Sequence, residues 1–213
     1  MLEVDHLGLG DSPVIVNDNY KIGFTSIIHD KQNEGYFLAG YEQTTEQTND
    51  CKVVRIGISG AIEWSKNFGN TFHSGINAIE NLSNGIGLTG YAQKDPGNQD
   101  LYVIKMDNFG NIEWEKTFGS KEKDTGNAIL QADHGGMYIL GETNFSDELD
   151  SEIWILEISS DGNILDSVII GGVGLHIGYS FSRSPDGSFA IAGITNGKRS
   201  GVTDAYIVKI NQD

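Results

Sequence analysis

The chain is short of cysteine, proline, basic residues and long apolar runs, and each shortage excludes something. Cys51 is its single cysteine in 213 residues, so no internal disulfide can form. Three prolines are too few for a proline-rich disordered linker. Lysine and arginine number 14 against 30 aspartates and glutamates, a formal net charge of −16. That balance argues against nucleic acid and anionic membrane surfaces as partners, since both need basic surface. No apolar stretch approaches the ~20 residues of a membrane helix, so membrane insertion is not expected, and no signal peptide is recognisable. A phosphate loop, a G-x-S-x-G elbow, an H-E-x-x-H pair and a dinucleotide fingerprint are all missing.

Glycine, by contrast, is abundant: 28 residues, well above the usual share of roughly 7%. Much of it is periodic. An apolar run closes on glycine four times, at Leu38-Ala39-Gly40, Leu88-Thr89-Gly90, Ile139-Leu140-Gly141 and Ile191-Ala192-Gly193. A period of about 51 residues marks one supersecondary unit that cannot bury its own faces, so the copies pack on one another. In this frame Cys51 aligns with Leu101, Ile153 and Ala205, which makes it a buried strand residue.

Each copy reads as four strands. The first begins at Gly23, Gly75, Gly126 and Gly178; a tight turn such as Asn84-Gly85 or Asp186-Gly187 follows, supplying the positive φ that short hairpins need. The second strand ends at the recurring glycine. The third is Val53 to Ile56 and its counterparts. The fourth is Ile62-Glu63-Trp64, Ile112-Glu113-Trp114 and Ile164-Leu165-Asp166. The last copy stops after three strands, while Pro13 to Asp18 forms an isolated strand-like run before the first. The reading is an all-β, single-domain β-propeller spanning 1–213. It has four four-stranded antiparallel blades (repeats 23–74, 75–125, 126–177 and 178–213), with 1–11 a loose tail. The N-terminal strand 13–18 joins the last blade and closes the ring, which removes two sheet edges.

The stretch Lys105-Met106-Asp107-Asn108-Phe109-Gly110-Asn111-Ile112-Glu113-Trp114-Glu115-Lys116-Thr117-Phe118-Gly119 resembles the repeat of bacterial and archaeal propellers related to the PQQ-like group. Asp100 to Lys105 and Gly135 to Gly141 resemble its other two segments. The third copy departs from it, with Asp166 in place of tryptophan. The resemblance implies a propeller often found in secreted or surface proteins, hence an extracellular or cell-surface location. It does not imply a PQQ enzyme, because no set of residues here would hold that cofactor. Two chains assembling an eight-bladed ring, a homodimer, is the alternative to a closed monomer.

Blade topology puts the second and fourth connections at one end. The second connections are long and polar, Tyr41–Asp50, Tyr91–Asp100, Glu142–Ser151 and Ile194–Thr203, so that end is the expected functional face. Two polar rings fall on it. Asp50, Asp100, Glu152 and Asp204 head the third strands. They either lock the loop by accepting backbone N–H groups or bind calcium or sugar hydroxyls. Lys21, His73, Asp124 and His176 lie two residues before each first strand. Two histidines and a carboxylate suit zinc or another transition metal, although the lysine would repel a cation. Solvated or hydrogen-bonded histidines with no metal are the plain alternative. Trp64 and Trp114 are expected to pack between blades.

With no catalytic motif, the chain is expected to be no enzyme and to need no cofactor. It reads as a binding or interaction module that presents its loops to a glycan, peptide or protein. The alternatives are a structural or assembly module, and a carbohydrate-active enzyme using loop-face carboxylates from different blades.

Overall fold

A computed structural model describes residues 21–45, 48–69, 72–95, 97–144, 150–197 and 202–211. These contain fifteen strands and no helix, grouped by the repeat into four units. Unit 1 holds β1 (Ile22–His29), β2 (Tyr36–Thr45), β3 (Thr48–Ile56) and β4 (Ile62–Phe68). Unit 2 holds β5 (His73–Leu82), β6 (Gly85–Asp95), β7 (Asn98–Met106) and β8 (Ile112–Phe118). Unit 3 holds β9 (Asp124–Gln131), β10 (Met137–Thr143), β11 (Glu152–Ile158) and β12 (Ile164–Ile170). Unit 4 holds β13 (His176–Arg183), β14 (Phe189–Thr195) and β15 (Asp204–Ile210). Within each unit neighbouring strands are antiparallel; a single parallel pairing of Asn49 with His73 joins units 1 and 2 into one eight-stranded sheet.

The recurring glycine has a steric cause. In every unit the first strand carries a β-bulge, at Thr25, Asn77, Asn127 and Tyr179. The bulge drives a first-strand carbonyl onto the facing glycine. A Cβ on Gly40, Gly90, Gly141 or Gly193 would collide with the carbonyl oxygen of Gly23, Gly75, Thr125 or Ile177 respectively. Only a residue without a side chain tolerates that approach.

Period-two patterning gives each unit two apolar faces, and the core lies between units. Phe37, Ala39, Cys51 and Val53 of unit 1 pack on Ile76, Ile79, Leu88 and Ile104 of unit 2. Leu101 and Val103 pack on Ile129, Ile139 and Leu156; Leu140, Ile153 and Ile155 pack on Phe181, Phe189 and Ile191. Trp64 and Trp114 do fill these seams. The Trp64 ring lies against Gly110, and Trp114 donates from Nε1 to the Ser160 carbonyl at 2.9 Å.

Four expectations need correction or fall outside the described residues. The first strands begin at His73, Asp124 and His176 themselves, not two residues later, because these residues still pair across to the second strand. The long second connections of units 1 and 2 are paired ribbon almost to their tips, closing at Thr45 with Thr48 and at Asp95 with Asn98. Their polar residues sit on paired strand ends that are mostly half-buried, not on irregular backbone. The described sheets do not close into a ring, and unit 4 presents three strands. The tail 1–11 and the closing strand 13–18 lie outside the described residues.

Candidate functional site

The ends of the second strands and the starts of the first and third strands meet at one face. There the units are stitched together by equivalent positions. Asn49 bridges His73. Gln99 donates from Nε2 to Thr125 Oγ1 at 2.6 Å. Ser151 bridges Leu175, and its carbonyl accepts the His176 N–H at 2.6 Å.

The residues expected to form a metal ring are parts of this stitching. Asp124 is fully buried, and its Oδ2 accepts the Ser120 N–H at 2.7 Å, which locks the loop entering unit 3. Burial pushes its pKa up; hydrogen bonds from Thr143 and Ser120 oppose this, and the charge of Asp100 adds to it. His176 Nδ1 lies 3.1 Å from Thr195 Oγ1, and its ring stands edge-on to Tyr206. Lys21 is exposed, and its carbonyl accepts the Gln43 N–H. The structure does not bring His73, Asp124 and His176 together. Among the described residues no three His, Cys, Asp or Glu side chains are grouped as a metal site requires.

The acids heading the third strands share a different environment. Asp50 Oδ1 lies 3.2 Å from where a Cβ on Gly69 would stand, Asp100 Oδ1 2.7 Å from that of Gly119, and Glu152 Cγ 2.9 Å from that of Gly171. Three acids thus lie against the glycine that follows the fourth strand of their own unit. Asp204 is exposed.

Asp50 stands apart from the other three. Its cross-strand partner is Glu42, a buried carboxylate held by Lys52 Nζ at 2.7 Å and by Asn67. Burial, then the Glu42 charge, raise the Asp50 pKa. Asp50 also lines a cavity of about 620 Å³ between units 1 and 2, with Asn67, Phe68, Tyr102, Glu115 and Thr117. Tyr102 donates its hydroxyl to Glu115 Oε2, and burial followed by that bond raises the Tyr102 pKa, keeping the hydroxyl protonated as a donor. Lys94 Nζ reaches Thr117 Oγ1 at 3.0 Å on the same wall.

Tyr102 and Glu115 were missed by sequence reasoning, which looked for recurrence. Glu115 is a departure: units 1 and 3 place Ser65 and Ser167 there. A cavity lined by two carboxyl groups in unlike surroundings, with an aromatic wall, can hold a polyhydroxylated ligand and move a proton onto it.

No family model matches the chain, and no curated protein matches it. Solved structures do. An endo-arabinase from Bacteroides thetaiotaomicron VPI-5482 aligns with a TM-score of 0.53 at 12% identity, over 86% of this chain and 73% of that one. A thermostable family-43 glycoside hydrolase aligns with a TM-score of 0.55 at 13% identity, over 89% and 69%. A protein of unknown function from Bacteroides caccae aligns with a TM-score of 0.51 at 11% identity, over 92% and 62%. The fold is therefore all-β and propeller-like. The likeness also overturns the expectation of a non-catalytic module. Two of these neighbours are named as an endo-arabinase and a family-43 glycoside hydrolase, so a missing linear motif does not argue against an enzyme.

Proposed function

We propose that the protein is a carbohydrate-active enzyme that hydrolyses glycosidic bonds with carboxyl groups on its loop face. The observation that carries the reading is the cavity between units 1 and 2, where Asp50, with its raised pKa, and Glu115 line one wall system. Asp50 would be the general acid, passing its proton to the leaving glycosidic oxygen. Glu115, oriented by the Tyr102 hydroxyl, would act as the carboxylate partner. Water adds its hydroxyl to the anomeric carbon, and its remaining proton restores Asp50 directly or through Glu115. Phe68 offers an apolar surface against a sugar ring.

The glycoside hydrolase neighbours support this reading at the level of fold, and arabinan is the first polysaccharide to try. In the same proposal the four units are blades of a propeller whose repeat is kin to the PQQ-like group.

The test is release of reducing sugar from arabinan and a panel of other plant and bacterial polysaccharides. Asp50→Asn and Glu115→Gln should each lower kcat by about 100-fold or more, the range expected for general acid–base residues. No release from any polysaccharide, or full activity in both variants, sinks the proposal.

A further inference from the structure

The hairpins that end the second strands of units 1 and 2 each carry one bulged residue, Thr44 and Lys94. Thr44 turns back on its own hairpin, its Oγ1 2.9 Å from Thr48 Oγ1. Lys94 is aimed differently. It reaches over to the fourth strand of unit 2, donates from Nζ to Thr117 Oγ1 at 3.0 Å, and lines the cavity of about 620 Å³ between units 1 and 2. Bulges commonly re-aim a side chain in this way. The receiving threonine is also particular to unit 2, since Asn67 and Ile169 hold its place in units 1 and 3.

The charge on Lys94 has no acid against it. Lys52, Arg55, Lys105 and Lys123 form ion pairs with Glu42, Asp30, Glu113 and Glu142. Among the described residues Lys94 forms none, and its hydrogen-bond partner is the neutral Thr117 hydroxyl. Having accepted from Lys94, that hydroxyl keeps its own hydrogen to donate. An ammonium and a hydroxyl 3.0 Å apart can each take one oxygen of a carboxylate. The same cavity holds the carboxyl groups of Asp50 and Glu115 and the ring of Phe68. Those acids would repel an anionic ligand unless a cation beside them offset the charge.

We propose that Lys94 and Thr117 form a carboxylate-recognising corner of this cavity, and that the glycan taken there carries a uronic acid. This substrate class rests on the hydrolytic reading of the same cavity and narrows it. The uronate carboxylate accepts from the Lys94 ammonium and the Thr117 hydroxyl. Its charge is offset by the lysine, so the corner prefers the acid to its uncharged ester. Unit 1 offers no equivalent corner, because Thr44 is spent on Thr48 and Asn67 on Glu42.

The probes are oligosaccharides of galacturonate and of glucuronate, each beside its methyl ester, which keeps the sugar and removes the charge. Equilibrium binding to the intact chain is followed by calorimetry. At least one acid should bind about tenfold or more tighter than its ester, the size of one interfacial charge pair. Lys94→Gln should bring acid and ester to equal affinity, and Lys94→Arg should keep the preference for the acid. Lys94 is exposed, so both variants should fold, which thermal melts check. No saturable binding of either acid at millimolar concentration overturns the proposal. So does a preference that survives Lys94→Gln, or a stronger preference for a sulfated oligosaccharide of equal charge. Binding needs no turnover, so the two readings of the cavity fail separately. Hydrolysis of neutral glycans with no preference for an acid sinks the uronate corner and leaves the catalytic reading standing. A Lys94-dependent preference with no hydrolysis of any polysaccharide does the reverse.

Discussion

Asn77 donates from Nδ2 to the carbonyl oxygen of Gly126 at 2.9 Å, across the seam between units 2 and 3. Asn77 is the bulged residue of its first strand. The bulged residue of unit 3, Asn127, does the same to Gly178 at 3.0 Å, and that of unit 1, Thr25, donates to Ile76. The bulge therefore has two results: it forces a glycine on the facing strand and aims a side chain at the next unit. In unit 4 the bulged residue is Tyr179, which is exposed.

Removing these latches should cost stability in equal steps. Asn77→Ala and Asn127→Ala each lose one hydrogen bond and leave a carbonyl without that partner, at about 1 kcal/mol apiece. Urea unfolding of the two single variants and the double variant would check the size and additivity. A combined loss below the error of one measurement would show that the latches do not hold the seams.

Gly90→Ala tests the steric account of the repeat. The new methyl group would collide with the Gly75 carbonyl in a buried strand pair, so about 2–3 kcal/mol should be lost. Gly135→Ala is the contrast. Nothing lies within 4 Å of its Cβ position, and its φ of 84° makes the cost purely one of backbone strain. The melting temperature should fall further for Gly90→Ala.

Asp30 binds Arg55 through Nε at 3.1 Å and a terminal nitrogen at 2.9 Å, with both side chains nearly inaccessible. Burial alone would raise the Asp30 pKa, but hydrogen bonds from the Gln32 N–H, the Arg55 guanidinium and the Asn33 N–H and side chain together outweigh it and hold the carboxyl below its ordinary 3.8. A depressed acid stabilises the fold above its unfolded pKa, and that contribution is lost as pH falls through the folded value. Asp30→Asn should thus cost about 2 kcal/mol at neutral pH. The gap from the parent chain should shrink below pH 3.8; a gap that stays constant with pH contradicts the assignment.

Cys51 is fully buried, and burial pushes its thiol pKa up to about 12. The thiolate is the reactive form, so the native protein should resist thiol reagents at pH 8. It should react only on unfolding, which stopped-flow labelling in denaturant would resolve. Rapid labelling of the native chain would show that the seam between units 1 and 2 opens.

The proposed hydrolysis carries a pH signature. Asp50 must be protonated to act, and its pKa lies above the ordinary carboxyl value because of burial and Glu42. Activity should therefore decline as pH rises through that value. Glu42→Gln removes the neighbouring charge and should shift the alkaline limb to lower pH. An unmoved limb would assign the proton to another group.

Some features of this chain were legible as sequence. The four glycine-closed runs report a bulge that repeats in each unit, and a steric demand of that kind admits one residue type, so it leaves an unambiguous mark. Turn glycines and the seam role of Trp64 and Trp114 follow from the same local rules. The four-unit organisation follows from the period alone, because strands within a unit pair with their neighbours in the chain.

Tertiary structure decided the rest. His73, Asp124 and His176 share a repeat position, yet sharing a position does not make side chains converge; each is bound to its own seam. The polar hairpin tips read as loops because polarity does not record backbone pairing. Asp50, Tyr102 and Glu115 come from two units and three strands, and their cavity exists only where those units meet. Glu115 carries no periodic signal, since it stands where the other repeats have serine. Repetition encodes how units stack, while a site arises where one unit departs from the pattern beside another, and that juxtaposition is a property of the packed molecule.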